Sequence, residues 1–141
     1  MSESMARIDF LGTGNAFCPS GRMHALAIID KKILIDAPPT LIPQLRGDGI
    51  SPSQIDHVLF THWHGDHVFG FPFLLLDRKF ISDPSGERVL EIHLRPGGKE
   101  YLSNICEMGF PGSLGDWFNS RAIWNDCGSI SGAEQTWLTQ R

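Results

Sequence analysis

No apolar run in this sequence approaches the roughly 20 residues that a membrane-spanning helix needs. The longest, Phe71 to Leu76, is interrupted at Pro72. Cysteine is scarce: Cys18, Cys106 and Cys127 are three, an odd number, and far apart. That excludes a disulfide framework and a Cys-x-x-Cys metal knuckle, and suits reduced thiols. Positive charge is not in excess. The net charge is −4, so no global field recruits nucleic acid or an anionic membrane. Met1 to Arg7 lacks the basic end and apolar core of a signal peptide. No repeat or low-complexity run is present, and residues 94–141 contain no histidine. The expectation is a cytoplasmic protein of 141 residues, the length of one ordinary domain.

Histidine is concentrated elsewhere. Thr61-His62-Trp63-His64-Gly65-Asp66-His67 places three imidazoles and a carboxylate within six consecutive positions. Packing does not account for such density, because an unpartnered buried carboxylate is costly to desolvate. Imidazole and carboxylate are, with thiolate, the ligands that zinc and similar borderline ions accept. The stretch follows Ile55 to Phe60, whose end is an apolar run of strand character. In extended chain, His62 and His64 share a face and can grip one ion. Gly65 supplies a turn that redirects Asp66 and His67 toward a second. A pair of ions so held is what a two-metal hydrolytic centre requires.

Around this motif the sequence reads as short strands and helices. Arg7 to Leu11 is a strand stopped by Gly12-Thr13-Gly14, and the third glycine of a dinucleotide fingerprint is missing. His24 to Ile29 and Lys32 to Ile35 form a hairpin through Asp30-Lys31. Thr40 is placed to cap a helix from Leu41 to Arg46. Ser51-Pro52-Ser53-Gln54 has the pattern of a capped helical start. Val68 to Leu76 predicts one buried helix, with Pro72 near its first turn. Val89 to Leu94 reads as a strand and Lys99 to Met108 as a helix, whereas residues 111–141 show no period. His24 reads as a hydrogen-bonding residue. His57 falls on the opposite strand face from His62 and reads as structural.

His-x-His-x-Asp-His after a strand resembles the signature of metallo-β-lactamase-fold metallo-hydrolases. Phe10-Leu11-Gly12-Thr13-Gly14-Asn15-Ala16 resembles the opening strand and glycine turn of the ribonuclease Z-like and phosphodiesterase-like branches. Ile33-Leu34-Ile35-Asp36 resembles the aspartate-ended strand that precedes the motif. The resemblance spans about residues 5–110 and implies an α/β (α+β) fold, half of an αββα sandwich, with a mixed sheet and flanking helices. It divides the chain into an amino-terminal half-domain, residues 1–110, and a tail, residues 111–141.

The resemblance also implies the chemistry. His62 and His64 would bind one zinc, Asp66 and His67 the other, with Asp66 also the proton acceptor. Asp36 would lie beneath the centre and orient a ligand histidine, the reading preferred to a turn-forming aspartate before Ala37-Pro38-Pro39. Manganese and iron suit the same donors. The implied substrate is a phosphodiester, of which a tRNA precursor is the nearest case. Pro38-Pro39 stand where the ribonuclease Z-like branch has Gly-Glu, which keeps other phosphodiesters, lactones, thioesters and sulfate esters open. The family's third histidine, bridging aspartate and final histidine lie in a second half. His93, in the Val89 to Leu94 strand, does not match them, and Asp116 and Asp126 lie in no recognisable motif. Three readings follow: part of a longer hydrolase, a short chain completed by a partner or by self-association, or a non-catalytic binding protein that retains half the motif.

Overall fold

The computed structural model describes residues 5–127; the expected tail beyond Cys127 lies outside them. Six strands form one mixed sheet in sequence order: β1 (Ile8–Gly12), β2 (Leu26–Ile29), β3 (Ile33–Ile35), β4 (His57–Leu59), β5 (Leu90–Leu94) and β6 (Ala122–Asp126). The first two pairings are antiparallel and the last three parallel. Parallel neighbours need crossover connections, which are supplied by α1 (Leu41–Gly47), α2 (Gly65–Val68) with α3 (Phe71–Asp77), and α4 (Gly98–Gly109) with α5 (Trp117–Ser120).

Alternation along each strand decides which side of the sheet is covered. Leu26, Ile28, Leu34, Val58, Leu90, Ile92 and Leu94 point to one face and are buried. They join Leu41, Leu45, Phe71, Leu74, Leu75, Leu102 and Trp117 from the helices in one core. Among the described residues, the opposite face has no such cover. Register aligns Ile8, Ile29, Ile33, His57, Glu91 and Ile123 in one row across it, and Phe10, Ala27, Ile35, Leu59, His93 and Asn125 in the next. Phe10 is 72% exposed and Ile8 54%. A trough of about 530 Å³ runs over this face, lined by Ile33, Ile35, His57, Leu59 and His93 among others.

Local sequence explains most of the elements. Asp30 and Lys31 turn the β2–β3 hairpin with φ of 52° and 57°, the two positive values of a type I′ turn. Ser51 and Gln54 form a reciprocal capping box around a single helical turn, Pro52–Gln54. Thr40 stands at the N-cap of α1 without capping it; its hydroxyl donates to Gln44 Oε1 at 2.8 Å. The helix expected over Val68 to Leu76 is instead divided into α2 and α3 at Phe69-Gly70. The break has a packing cause. Gly70 N–H donates to Ala37 O at 2.8 Å, and a Cβ on Gly70 would stand 1.9 Å from Pro38 O. The two segments meet there as only glycine permits. The segment without a legible period contains α5 and β6, and β6 pairs along its whole length with β5.

Arg78 fastens this framework beneath the motif. It is fully buried, and its Nη1 donates to Pro52 O at 2.8 Å and Ile55 O at 2.7 Å. Those carbonyls belong to the chain entering β4. Burial pushes the guanidinium pKa down to about 10, opposed by nearby Asp83, so it stays charged at neutral pH. Arg78→Met would leave both carbonyls without their donor and is expected to cost about 2–4 kcal/mol in urea unfolding. A loss below about 0.5 kcal/mol would contradict this role.

Candidate metal centre

β4 ends at Leu59, and residues 60–64 follow without strand pairing to His64, whose φ and ψ are −66° and 145°. The strand alternation does not carry through the motif, since Phe60 and Trp63, three residues apart, pack together. Trp63 turns toward the helices, with its ring centroid 5.6 Å from Phe60 and 5.1 Å from Tyr101. Tyr101 Oη also donates to Trp63 O at 3.2 Å, which pins this loop to α4. His62 and His64 turn the other way, and their rings are 4.8 Å apart. At Gly65 the chain enters α2, whose first turn carries Asp66 and His67 back toward them. The His67 ring lies 4.0 Å from that of His62, and its Nε2 is 3.3 Å from Asp66 Oδ2.

Asp36 lies under this group. It is buried and follows β3 with φ of +70°, a left-handed conformation that aspartate and asparagine tolerate better than most residues. Its Oδ1 accepts Thr61 N–H at 2.8 Å. Its Oδ2 accepts the Thr61 hydroxyl at 2.7 Å and His67 Nδ1–H at 2.8 Å. Ligand-capable atoms of Asp36, His62 and His67 all lie within 4.8 Å of one another. The carboxylate oxygens, however, are already engaged by three donors, so Asp36 holds Thr61 and His67 in place through these bonds.

These bonds settle the proton positions. A hydroxyl has one proton, and Thr61 gives it to Asp36. Thr61 Oγ1, 3.0 Å from His62 Nδ1, then accepts Nδ1–H and frees the His62 Nε2 lone pair. The proton on His67 Nδ1 likewise frees its Nε2 beside Asp66. A ligand imidazole whose other nitrogen is held by an oxygen acceptor is the usual arrangement at metal sites. Two imidazoles with free lone pairs, a third ring at 4.8 Å and an adjacent carboxylate form a donor set that suits zinc or a similar ion. Thr61 was not singled out from the sequence, although its place between strand and motif marks it.

Burial holds the His62 pKa below its usual 6.5. His67 and His64 lower it further, and Asp36 and Asp66 oppose them. His62 is thus neutral, the ligand form, at neutral pH, and its protonation competes with a metal only in more acidic solution. In metal-free protein, an NMR titration should place its midpoint below 6.5. A midpoint at or above that value would contradict the described surroundings.

The remaining candidates lie elsewhere. His24 Nδ1 is 3.3 Å from Thr40 Oγ1, and its Nε2 is 3.4 Å from Ala16 O. His93 pairs with His57 on the uncovered sheet face, Nε2 to Nδ1 at 3.0 Å. Asp116 forms an ion pair with Lys79 at 3.0 Å, and Asp126 ends β6.

Comparison with known proteins gives a consistent result. The family model described as "Anti-Pycsar protein Apyc1" matches residues 6–96. The ribonuclease Z of Methanocaldococcus jannaschii is 33% identical over 106 residues, which cover 73% of this chain and 32% of that protein. Among solved structures, the short form of human tRNase Z superposes with a TM-score of 0.64 at 22% identity, covering 93% of this chain and 47% of the other. The metallo-β-lactamase fold protein YhfI of Bacillus subtilis gives 0.61 at 16%, covering 91% and 50%. The chain thus spans about a third of the curated relative and about half of each solved chain.

Proposed function

The chain belongs to the family described as anti-Pycsar protein Apyc1, within the ribonuclease Z-like metallo-β-lactamase-fold hydrolases, and on that premise we propose that its motif is the metal-binding half of a phosphodiester-hydrolysing site. The observation that carries the reading is the convergence of His62, His64, Asp66 and His67 on one side of the loop, with His67 held by Asp36. His62 and His64 would hold one zinc, Asp66 and His67 the second; manganese or iron fits the same donors. Bound there, such ions supply charge stabilisation to a phosphoryl group and lower the pKa of water.

The protein's own residues do the rest. Thr61 and Asp36 fix the tautomers of His62 and His67. Asp66 is the proton acceptor, placed by the first turn of α2. A phosphodiester is favoured because a relative named ribonuclease Z is similar over most of this chain; a tRNA precursor is the substrate class that follows. Four ligands between two ions are fewer than a hydrolytic zinc pair uses, since catalytic zinc normally takes three protein ligands and a water. Hydrolysis therefore belongs to the site once a further set of ligands completes it. The uncovered sheet face, with Ile8, Phe10 and Ile123 exposed, is the surface on which a completing segment or second chain would pack.

The test is an assay of the protein at the length its source cell produces, on a tRNA precursor and on bis(p-nitrophenyl) phosphate. Hydrolysis abolished by EDTA and restored by zinc or manganese is expected. Metal binding without hydrolysis of either substrate would favour the binding-protein reading.

A further inference from the structure

A second group of metal-type donors lies on the sheet face opposite the helices, apart from the motif. Register places Glu91 beside His57 across the β4–β5 pairing, and His93 two residues further along the same face. His57 Nδ1 and His93 Nε2 are 3.0 Å apart. Ligand-capable atoms of His57, Glu91 and His93 all lie within 4.8 Å of one another. Asn125, from β6, secures two of the three: its Nδ2 donates to Glu91 Oε1 at 3.2 Å and lies 3.5 Å from His93 Nδ1. All three donors sit on paired strands of a rigid sheet, and His57 and His93 open onto the trough.

We propose that His57, Glu91 and His93 form a binding site for a borderline divalent cation, separate from the Asp66 motif. Adjacent donors on one ion with bonds of about 2.1 Å stand roughly 3.0–3.4 Å apart in octahedral or tetrahedral geometry. The His57–His93 separation falls within that range. Two imidazoles and one carboxylate select zinc, iron, cobalt or nickel over magnesium or calcium, which prefer oxygen. Burial and neighbouring His57 both lower the His93 pKa, with Glu91 opposing, so its imidazole is neutral and its lone pair available. The sequence alone offered no sign of this, because the residues are 34 and 36 positions apart and only the parallel pairing unites them.

Equilibrium dialysis of tag-free protein against Co²⁺ tests the site without reference to activity. A His62→Ala/His64→Ala/Asp66→Ala background removes three of the motif's four donors and should still retain one cobalt per chain, with visible d–d absorption. Adding His93→Gln should abolish that equivalent, and Glu91→Gln should weaken it at least tenfold, with circular dichroism and melting temperature like those of the background. No cobalt bound in the background protein would overturn the site, as would one equivalent that survives both His93→Gln and His57→Gln. Failure of the motif as a metal centre would register differently, as wild-type protein retaining no more cobalt than the background.

Discussion

Asp66→Asn, made in the protein at its native length, is expected to lower kcat by roughly 10²–10⁴-fold while leaving the fold intact. Asparagine keeps the shape of the side chain but loses its charge and its ability to accept a proton. Both losses act at the same place, since Asp66 Oδ2 stands 3.3 Å from His67 Nε2. The residue lies in the first turn of α2 and is not part of the core, so a stability change within about 0.5 kcal/mol is expected, as for surface substitutions generally. Steady-state kinetics on a phosphodiester, with urea unfolding as control, separate the effects. A variant within tenfold of wild type would show that Asp66 is not the proton acceptor.

Asp36→Asn should act one step further out and on metal binding rather than on chemistry. Asparagine tolerates the left-handed backbone that residue 36 adopts, with φ of +70°, so backbone strain is not the variable. Its Oδ1 can still accept Thr61 N–H. At the other position an NH₂ would face Thr61 Oγ1 and His67 Nδ1, both of which now donate to an oxygen. His67 would relieve the clash by moving its proton to Nε2, the nitrogen turned toward Asp66, where a metal requires a lone pair. Loss of such a partner typically costs 10–100-fold in metal affinity. Zinc titration by calorimetry checks the magnitude, and ¹⁵N shifts of His67 check the cause. Unchanged affinity with the tautomer switched would contradict the assignment of His67 Nε2 as a ligand atom.

The sequence showed the parts of this molecule whose pattern is local. The β2–β3 hairpin, the capping box at Ser51 and Gln54, α1 and α4 follow from periodicity and turn chemistry over a few residues. The motif pointed to metal chemistry because three histidines and an aspartate within six positions have no packing explanation. What escaped depends on contacts between distant segments. The α2–α3 break arises where Gly70 meets Pro38, and nothing near Gly70 signals that approach. β6 is held by its pairing with β5 and by Trp124 against the core, not by an alternation visible in Ala122 to Asp126. The Thr40 hydroxyl was expected at the backbone and went to Gln44, which also donates to His24 O at 2.7 Å. Thr61 and the Asn125 contacts belong to the same class: side chains whose roles exist only once the sheet has formed.

His62, His64, Asp66 and His67 are expected to bind metal. The direct measurement is the zinc content, by mass spectrometry of the metal, of tag-free His93→Gln protein dialysed against zinc, with and without His62→Ala/His64→Ala. The His93→Gln change removes one of the three sheet-face donors and with it the expected binding there, so zinc retained reports on the motif. At least one equivalent is expected in the parent and its loss in the double variant, with both proteins folded. Equal zinc in the two, or none in the parent, would contradict it.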